Sequence, residues 1–236
     1  MKKFILFLFL LSSVYSFSQN SHLALSMGPN FPLGDFAAID DYTTNGYATN
    51  GFYLSFDGNY IPTWYFGIAG NISFGTNLPN QDSMYSSLLT ELRDLNVPPL
   101  PEDLKKEFTI GSWSYINLMV GPSVALPAGK FQFNAKALIG MSVIIPPNQT
   151  LIVLYNNKPV TGYADAKDVS FSYSVGGDII FELSSSYSIK VSADYFHTTI
   201  DYDVDFGFEE SVGLPVINRS FDINTINTTI GLAYLF

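Results

Sequence analysis

The chain contains no cysteine in its 236 residues. This excludes a disulfide framework, thiolate metal sites, thiol nucleophiles and a lipid-modified cysteine near the N-terminus. Positive charge is also scarce, with 11 Lys and Arg against 21 Asp and Glu. So acidic a balance argues against nucleic acid as a partner, because phosphates require basic patches. Histidine occurs only at His22 and His197. After Leu11 there is no long apolar run, so no later segment has the roughly 20 apolar residues that a membrane-spanning helix needs.

The one early run, Phe4 to Leu11, follows Lys2 and Lys3 and precedes Ser12, Ser13, Ser16 and Ser18. It reads as a secretory signal peptide over residues 1–18, cleaved near Ser18–Gln19, leaving 19–236 as the mature domain. Without Lys2 and Lys3 the mature chain carries a formal charge of −12. Aromatic residues make up 16% of the chain and charged ones only 14%. An exported, aromatic-rich chain without a membrane helix fits a transmembrane β-barrel, in which apolar residues are spread one in two along strands. The competing class is a secreted β-sandwich or lipocalin-like barrel.

Alternation with period two is what the sequence has in abundance. At its end, Ile226, Ile230, Leu232, Tyr234 and Phe236 share one parity, while Asn227, Thr229, Gly231 and Ala233 share the other. Side chains at such spacing line opposite faces of a strand. The same pattern predicts strands near 22–30, 51–60, 64–74, 112–126, 131–141, 169–183 and 187–195, making eight with the last. Pro122 falls inside the fourth and implies a bulge, because proline cannot donate to a ladder. Turn-forming stretches separate the strands, short ones at Ile61-Pro62, Pro127-Ala-Gly129 and Ser184 to Ser186. Longer connections cover Phe31 to Asn50, Gly75 to Gly111, Pro146 to Lys167 and Asp201 to Asn218. In the second of these, Met84, Leu88, Leu92 and Leu95 recur at helical spacing behind Asp82 or Ser83 as cap. The predicted fold is all-β: a closed, eight-stranded antiparallel transmembrane barrel with short periplasmic turns and long outer loops, one of them partly helical.

This pattern resembles the small bacterial outer-membrane β-barrel family of OmpA/OmpX type, often described as porin-like, over His22 to Phe236. The resemblance implies residence in the outer membrane, contact with its lipid and lipopolysaccharide, and a monomeric barrel. It also implies delivery by the barrel-assembly machinery, with Tyr234 and Phe236 as the terminal assembly signal. No cofactor and no catalytic residues come with it, and no further domain is expected after the barrel.

Charge placement predicts which face is inside. Asp57, Lys130, Lys136, Asp178, Glu182, Lys190 and Asp194 fall on the small, polar rows, and the apolar rows hold no charge. A Lys or Arg at the midplane of a lipid face costs roughly 2–4 kcal/mol. In a lipocalin-like barrel this relation would invert, with the large apolar residues inside. Eight strands leave an interior just filled by side chains. Asp57, Lys136, Asp178, Glu182, Lys190 and Asp194 are therefore expected as an interior ion-pair network rather than a channel lining.

Two constellations carry residue types competent for chemistry. His197, with Thr199, stands where some small outer-membrane lipid hydrolases carry His and Ser on the lipid face, but no acid is placed to orient it, and an interfacial histidine is the better reading. Asp201-Tyr-Asp-Val-Asp205 resembles a calcium loop but has Phe206 where glycine and Val212 where glutamate are required. Together with Glu209 and Glu210 these acids remain a candidate divalent-cation rim or a contact for a surface partner. With 17 acids assigned to loops against six bases, the rim charge is near −11. The functional expectation is a non-enzymatic envelope or surface-binding protein with a filled lumen, the alternatives being a small passive channel or a lipid-modifying hydrolase.

Overall fold

The computed structural model describes residues 21–62, 65–94, 108–155, 158–164, 166–208 and 216–236. The expected signal peptide, Leu95, Glu209 and Glu210 lie outside the described residues. Among the described residues twelve strands run as β1 (His22–Leu33), β2 (Ala48–Tyr60), β3 (Phe66–Pro79), β4 (Thr109–Ile110), β5 (Trp113–Ala128), β6 (Phe131–Ile145), β7 (Gln149–Tyr155), β8 (Lys158–Ala164), β9 (Asp168–Glu182), β10 (Tyr187–Val204), β11 (Gly207–Phe208) and β12 (Ile217–Leu235). Eight of them close into a barrel in the order β1-β2-β3-β5-β6-β9-β10-β12, with β12 paired back onto β1. Every pairing is antiparallel. Closure leaves no barrel edge with unpaired backbone groups, the condition for crossing a bilayer with strands.

All short turns and the described chain ends lie at one end of the barrel, and all long connections at the other. Gly129, at a φ of 65°, makes the tight β5–β6 turn. That turn leaves Lys130 exposed, a correction to its expected place on the interior row. At the same end the Phe236 amide donates to the Ser21 carbonyl at 3.1 Å, pinning the last residue to the start of β1.

Pro122 is accommodated without the expected bulge. Val120 faces Ile139 and Ser123 faces Lys136, so the register on either side of it is unbroken. The proline ring turns outward, and its missing donor removes pairs on the β6 side only. Pro29 does the same between β1 and β12. Each follows a glycine pressed against the neighbouring strand: a Cβ at Gly121 would lie 2.0 Å from the Ala137 carbonyl oxygen, and one at Gly28 2.0 Å from that of Thr228. Gly121→Val should therefore prevent closure, read as loss of the compact, heat-sensitive band in electrophoresis.

The connections are more ordered than the sequence implied. Within the stretch 146–167, expected as loop, β7 and β8 pair with each other and join β4 and β11 in a small four-stranded sheet. Thr150 to Tyr155 is a β-branched, aromatic-ended run followed by Asn156-Asn157, a hairpin signal in its own right. Residues 201–204 and 217–218 belong to β10 and β12 rather than to a loop. Helix α1 (Gln81–Asp94) forms as expected, burying Met84, Leu88 and Leu92. Its cap is Asn80, not Asp82 or Ser83: the Asn80 side-chain oxygen accepts from the Ser83 amide at 3.1 Å. An amide oxygen one step before the first turn satisfies an orphan helix donor, as N-caps do.

The barrel has two storeys of opposite polarity. In the lower one the outward row is apolar (Leu23, Leu25, Met27, Ile72, Leu118, Ile139, Val191, Ile230, Leu232) and the inward row polar. Above the level of His197 and Asn224 the same alternation continues with its sign reversed. Tyr202, Val204, Ile217, Phe221 and Ile223 point inward and are buried, while Asp201, Asp203, Asn218 and Ser220 point out. Exterior aromatics mark both borders of the apolar belt: Tyr60, Phe66, Phe131, Tyr187, Tyr234 and Phe236 below, Phe31, Phe52, Phe171 and Tyr173 above. From Tyr187 to His197 the strand advances ten residues, which at about 3.3 Å each and a tilt of about 40° spans about 25 Å, the height of a barrel's lipid-facing band.

Candidate functional site

The polar rows of the lower storey converge on a buried array of charges. Lys136 Nζ lies 3.1 Å from Asp194 and 3.9 Å from Asp178. Lys190 Nζ lies 3.9 Å from Asp178 and donates directly to Asp57. Asp57 in turn stands 3.9 Å from His22 Nε2. Asn134 supplies Asp178 with a further donor at 2.5 Å. The result is an alternating chain, His22–Asp57–Lys190–Asp178–Lys136–Asp194, across β1, β2, β10, β9 and β6. Glu182 does not join it. As the last residue of β9 it sits half-exposed beside the turn, away from the buried array. His22 was overlooked in the sequence, although it shares parity with Ala24 and Ser26 on the inward row.

Above the charges the bore is filled by amides and then by aromatics. Asn30 Nδ2 donates to Asn227 at 2.6 Å and to the Tyr115 hydroxyl, and Asn77 donates to Asn30 at 2.8 Å. The Tyr115 ring, from β5, stacks on Phe196 from β10 with centroids 5.5 Å apart and planes 2° from parallel. These strands stand three places apart in the ring of eight, so the stack crosses the lumen. Trp113 lies two residues further up, wholly buried, with edge contacts to Phe36, Tyr202 and Phe221 at 5.6, 6.2 and 5.6 Å.

Trp113 belongs to a hydrophobic core that the upper storey shares with its loops. Phe36, Tyr42 and Tyr47 from the β1–β2 connection, Met84, Leu88 and Leu92 from α1, and Ile144, Ile200, Val204 and Ile217 from the strands form one cluster. Hydrogen bonds to its backbone carbonyls lock the β1–β2 connection onto it: the Trp113 side chain donates through Nε1 to the Gly46 carbonyl at 2.8 Å, and the Asn80 backbone amide to that of Tyr47 at 2.7 Å. Tyr47 holds a φ of 58°, a strained value for a bulky residue that such locking sustains.

Arg219, expected in a loop, is wholly buried in this core. Its guanidinium donates to the carbonyls of Tyr42 (2.6 Å) and Asn45 and to the Tyr202 hydroxyl (2.7 Å). It also lies over the Tyr42 ring, 4.6 Å from the centroid. Among the described residues it forms no ion pair with an acid; carbonyl dipoles and ring faces hold the charge instead. Burial pushes the Tyr42 phenol up from its ordinary pKa, against the pull of Arg219. Parity with Ile217, Phe221 and Ile223 was the signal that could have placed Arg219 inside.

Of the acids expected in the divalent-cation rim, Asp201, Asp203 and Asp205 fall among the described residues. Asp201 and Asp203 point outward from β10, tied to Asn218, whose Nδ2 reaches them at 2.9 and 3.1 Å, and Asp205 is exposed beyond the strand. Among the described residues no group of three or more His, Asp or Glu is arranged to hold a metal ion. A polar cleft of about 310 Å³ between the β1–β2 connection and α1 is lined by Asp40, Asp41, Tyr42, Ser86, Ser87, Thr90, Glu91 and Asp94. The Thr43 hydroxyl, donating to Asp41 at 2.7 Å, holds that carboxyl below its usual range. His197 faces outward, its Nδ1 2.8 Å from Asn224 Oδ1, while Thr199 donates separately to Asp222 at 2.7 Å.

A closed antiparallel barrel with an apolar belt, two aromatic borders and a polar bore is an integral outer-membrane β-barrel. The apolar exterior settles the choice against a lipocalin-like carrier, whose outer wall must face water. No protein-family model matches the chain, and no curated protein matches it in sequence. Among solved structures it is similar to Ail, the attachment invasion locus protein of Yersinia pestis, at 12% identity and a TM-score of 0.44, covering 92% of this chain and 99% of that one. OprG from Pseudomonas aeruginosa aligns at 9% identity and 0.46 over 92% and 97%. The protease OmpT from Escherichia coli aligns at 9% and 0.36 over 95% and 100%. At such values nothing of what these proteins do passes to this chain.

Proposed function

We propose that this protein is a non-conducting, non-enzymatic surface protein of the outer membrane, whose rigid, acidic outer head makes its contacts. The observation that carries this reading is the Tyr115–Phe196 stack across the bore, with the Lys–Asp array below it and the Trp113 core above. A bore filled at three levels is a strut for the head and leaves no continuous water path. The head has its own apolar core and presents Asp40, Asp41, Glu91, Asp94, Asp201, Asp203 and Asp222 outward. Four acids expected in loops, Asp168, Asp201, Asp203 and Asp222, belong to β-strands, while Arg219 is buried, so the surface the head offers is strongly acidic and carried on hydrogen-bonded strands. Such a surface attracts cationic partners and repels anionic polymers, an effect that salt weakens over about 8 Å at physiological ionic strength.

The separate His197–Asn224 and Thr199–Asp222 pairs support the non-enzymatic side of the reading, since a hydroxyl already committed to a carboxylate is not relayed to the imidazole. Purified protein in a planar bilayer is expected to give no stable conductance steps. Large, long-lived openings from the monomer would overturn the reading in favour of a passive channel.

A further inference from the structure

One exterior cluster is used by neither the bore nor the head. Tyr173, His197 and Asn224 stand side by side on β9, β10 and β12 in directly paired register positions. The Tyr173 and His197 rings lie 4.7 Å apart, and Tyr173 and Tyr195 lie 6.3 Å apart, giving a continuous aromatic surface. Asn224 Oδ1 accepts from the Tyr195 hydroxyl at 2.6 Å and from His197 Nδ1 at 2.8 Å. With the Nδ1 proton so committed, Nε2 is left as an acceptor. One step up the wall, Thr199 donates to Asp222 Oδ1 at 2.7 Å, which leaves the second carboxylate oxygen of Asp222 to accept. One step down, Val175 and Ile226 are exposed and apolar. The cluster therefore straddles the upper border of the lipid belt, where headgroups begin.

We propose that this patch binds the neutral sugar headgroup of an outer-leaflet glycolipid. Aromatic faces of Tyr173 and His197 match the C–H face of a pyranose ring, and they present apolar area at small entropic cost. The imidazole Nε2 and the Asp222 carboxylate accept sugar hydroxyls, and charge-assisted acceptance is the stronger kind. A phosphate headgroup fits poorly, because Asp222 and, above it, Asp201 and Asp203 would repel it. The acyl chains of a bound glycolipid would run down over Val175 and Ile226, so the lipid, rather than a free sugar, is the occupant that the wall accommodates.

The test uses the folded protein in nanodiscs of phosphatidylethanolamine and phosphatidylglycerol doped with a monoglycosyl diacylglycerol, with retained lipids counted by native mass spectrometry. Wild-type protein should retain the glycolipid in preference to either phospholipid, a comparison that needs no variant. Tyr173→Leu and His197→Ala should each weaken retention about tenfold, while Tyr187→Leu, at the opposite aromatic border, should not. Folding of each variant is checked by its compact, heat-sensitive band. Equal retention of glycolipid and phospholipid, or unchanged retention in folded Tyr173→Leu, would overturn the assignment. So would binding of lipid-free maltose as tight as that of the glycolipid, which would make the patch a soluble-sugar site.

Discussion

Lys190→Met is expected to lower the stability of the folded barrel by about 3–5 kcal/mol, the usual consequence of stranding a buried charge by removing its partner. Lys190 is 1% exposed, donates to Asp57 and stands 3.9 Å from Asp178, so its loss leaves two buried carboxylates with less compensation. Among the described residues Asp57 then has only His22 within ion-pair distance, and Asp178 only Lys136. Urea unfolding in detergent, followed by the heat-sensitive band, measures the change. Adding Asp57→Asn should restore much of it, because the pair is then removed together and the remaining groups are neutral or paired. Glu182→Gln serves as the comparison: half-exposed and outside the array, it should change stability by less than about 0.5 kcal/mol. If Lys190→Met and Glu182→Gln proved equally mild, the charges would not be coupled as the geometry places them.

The lower storey was legible in the sequence because its two faces differ in chemistry as well as in parity. Leu23, Leu25 and Met27 against Ala24, Ser26 and Gly28 state both the strand and its orientation, and the same holds for Val191 and Tyr195 against Lys190 and Asp194. The upper storey obeys the same alternation with the faces exchanged. Parity says which residues share a face but not where the membrane stops. A stretch such as Asp201-Tyr-Asp-Val therefore reads as an acidic loop when it is a strand with tyrosine and valine turned inward. Arg219 follows the same logic: parity groups it with Ile217, Phe221 and Ile223, but a cation between Asn218 and Ser220 does not announce the three carbonyl and hydroxyl oxygens that make an inward place tolerable. Glu182 shows the converse limit: its parity agrees with the array, but its height, at the last residue of β9, puts it beside water. Helix α1 was legible from Met84, Leu88 and Leu92, while its cap was misread because Asp82, Ser83 and Asn80 are all competent residue types and only position decides among them.

Trp113→Ala is expected to loosen the outer head while leaving the membrane storey intact. Trp113 is fully buried at the centre of the upper core, touching Phe36, Tyr202 and Phe221, and its indole donates to the Gly46 carbonyl. Truncation removes the ring's burial, opens a cavity and orphans that carbonyl, at a cost of about 3–5 kcal/mol. The loss falls on the elements that the Trp113 side chain joins, the β1–β2 connection and the tops of β10 and β12, because the ion pairs lie below it and Asn77, its partner on β3, is held through the backbone ladder that truncation leaves in place. Limited proteolysis should therefore cut the variant within residues 34–47 at protease levels that spare the wild type, while the heat-sensitive band persists. Conductance should stay absent, since Tyr115 and Phe196 still cross the bore beneath. A variant that keeps its protease resistance would show that the head does not depend on this core. One that begins to conduct would show that the seal lies at Trp113 and not at the ring stack, and the account of a bore closed at several independent levels would fail.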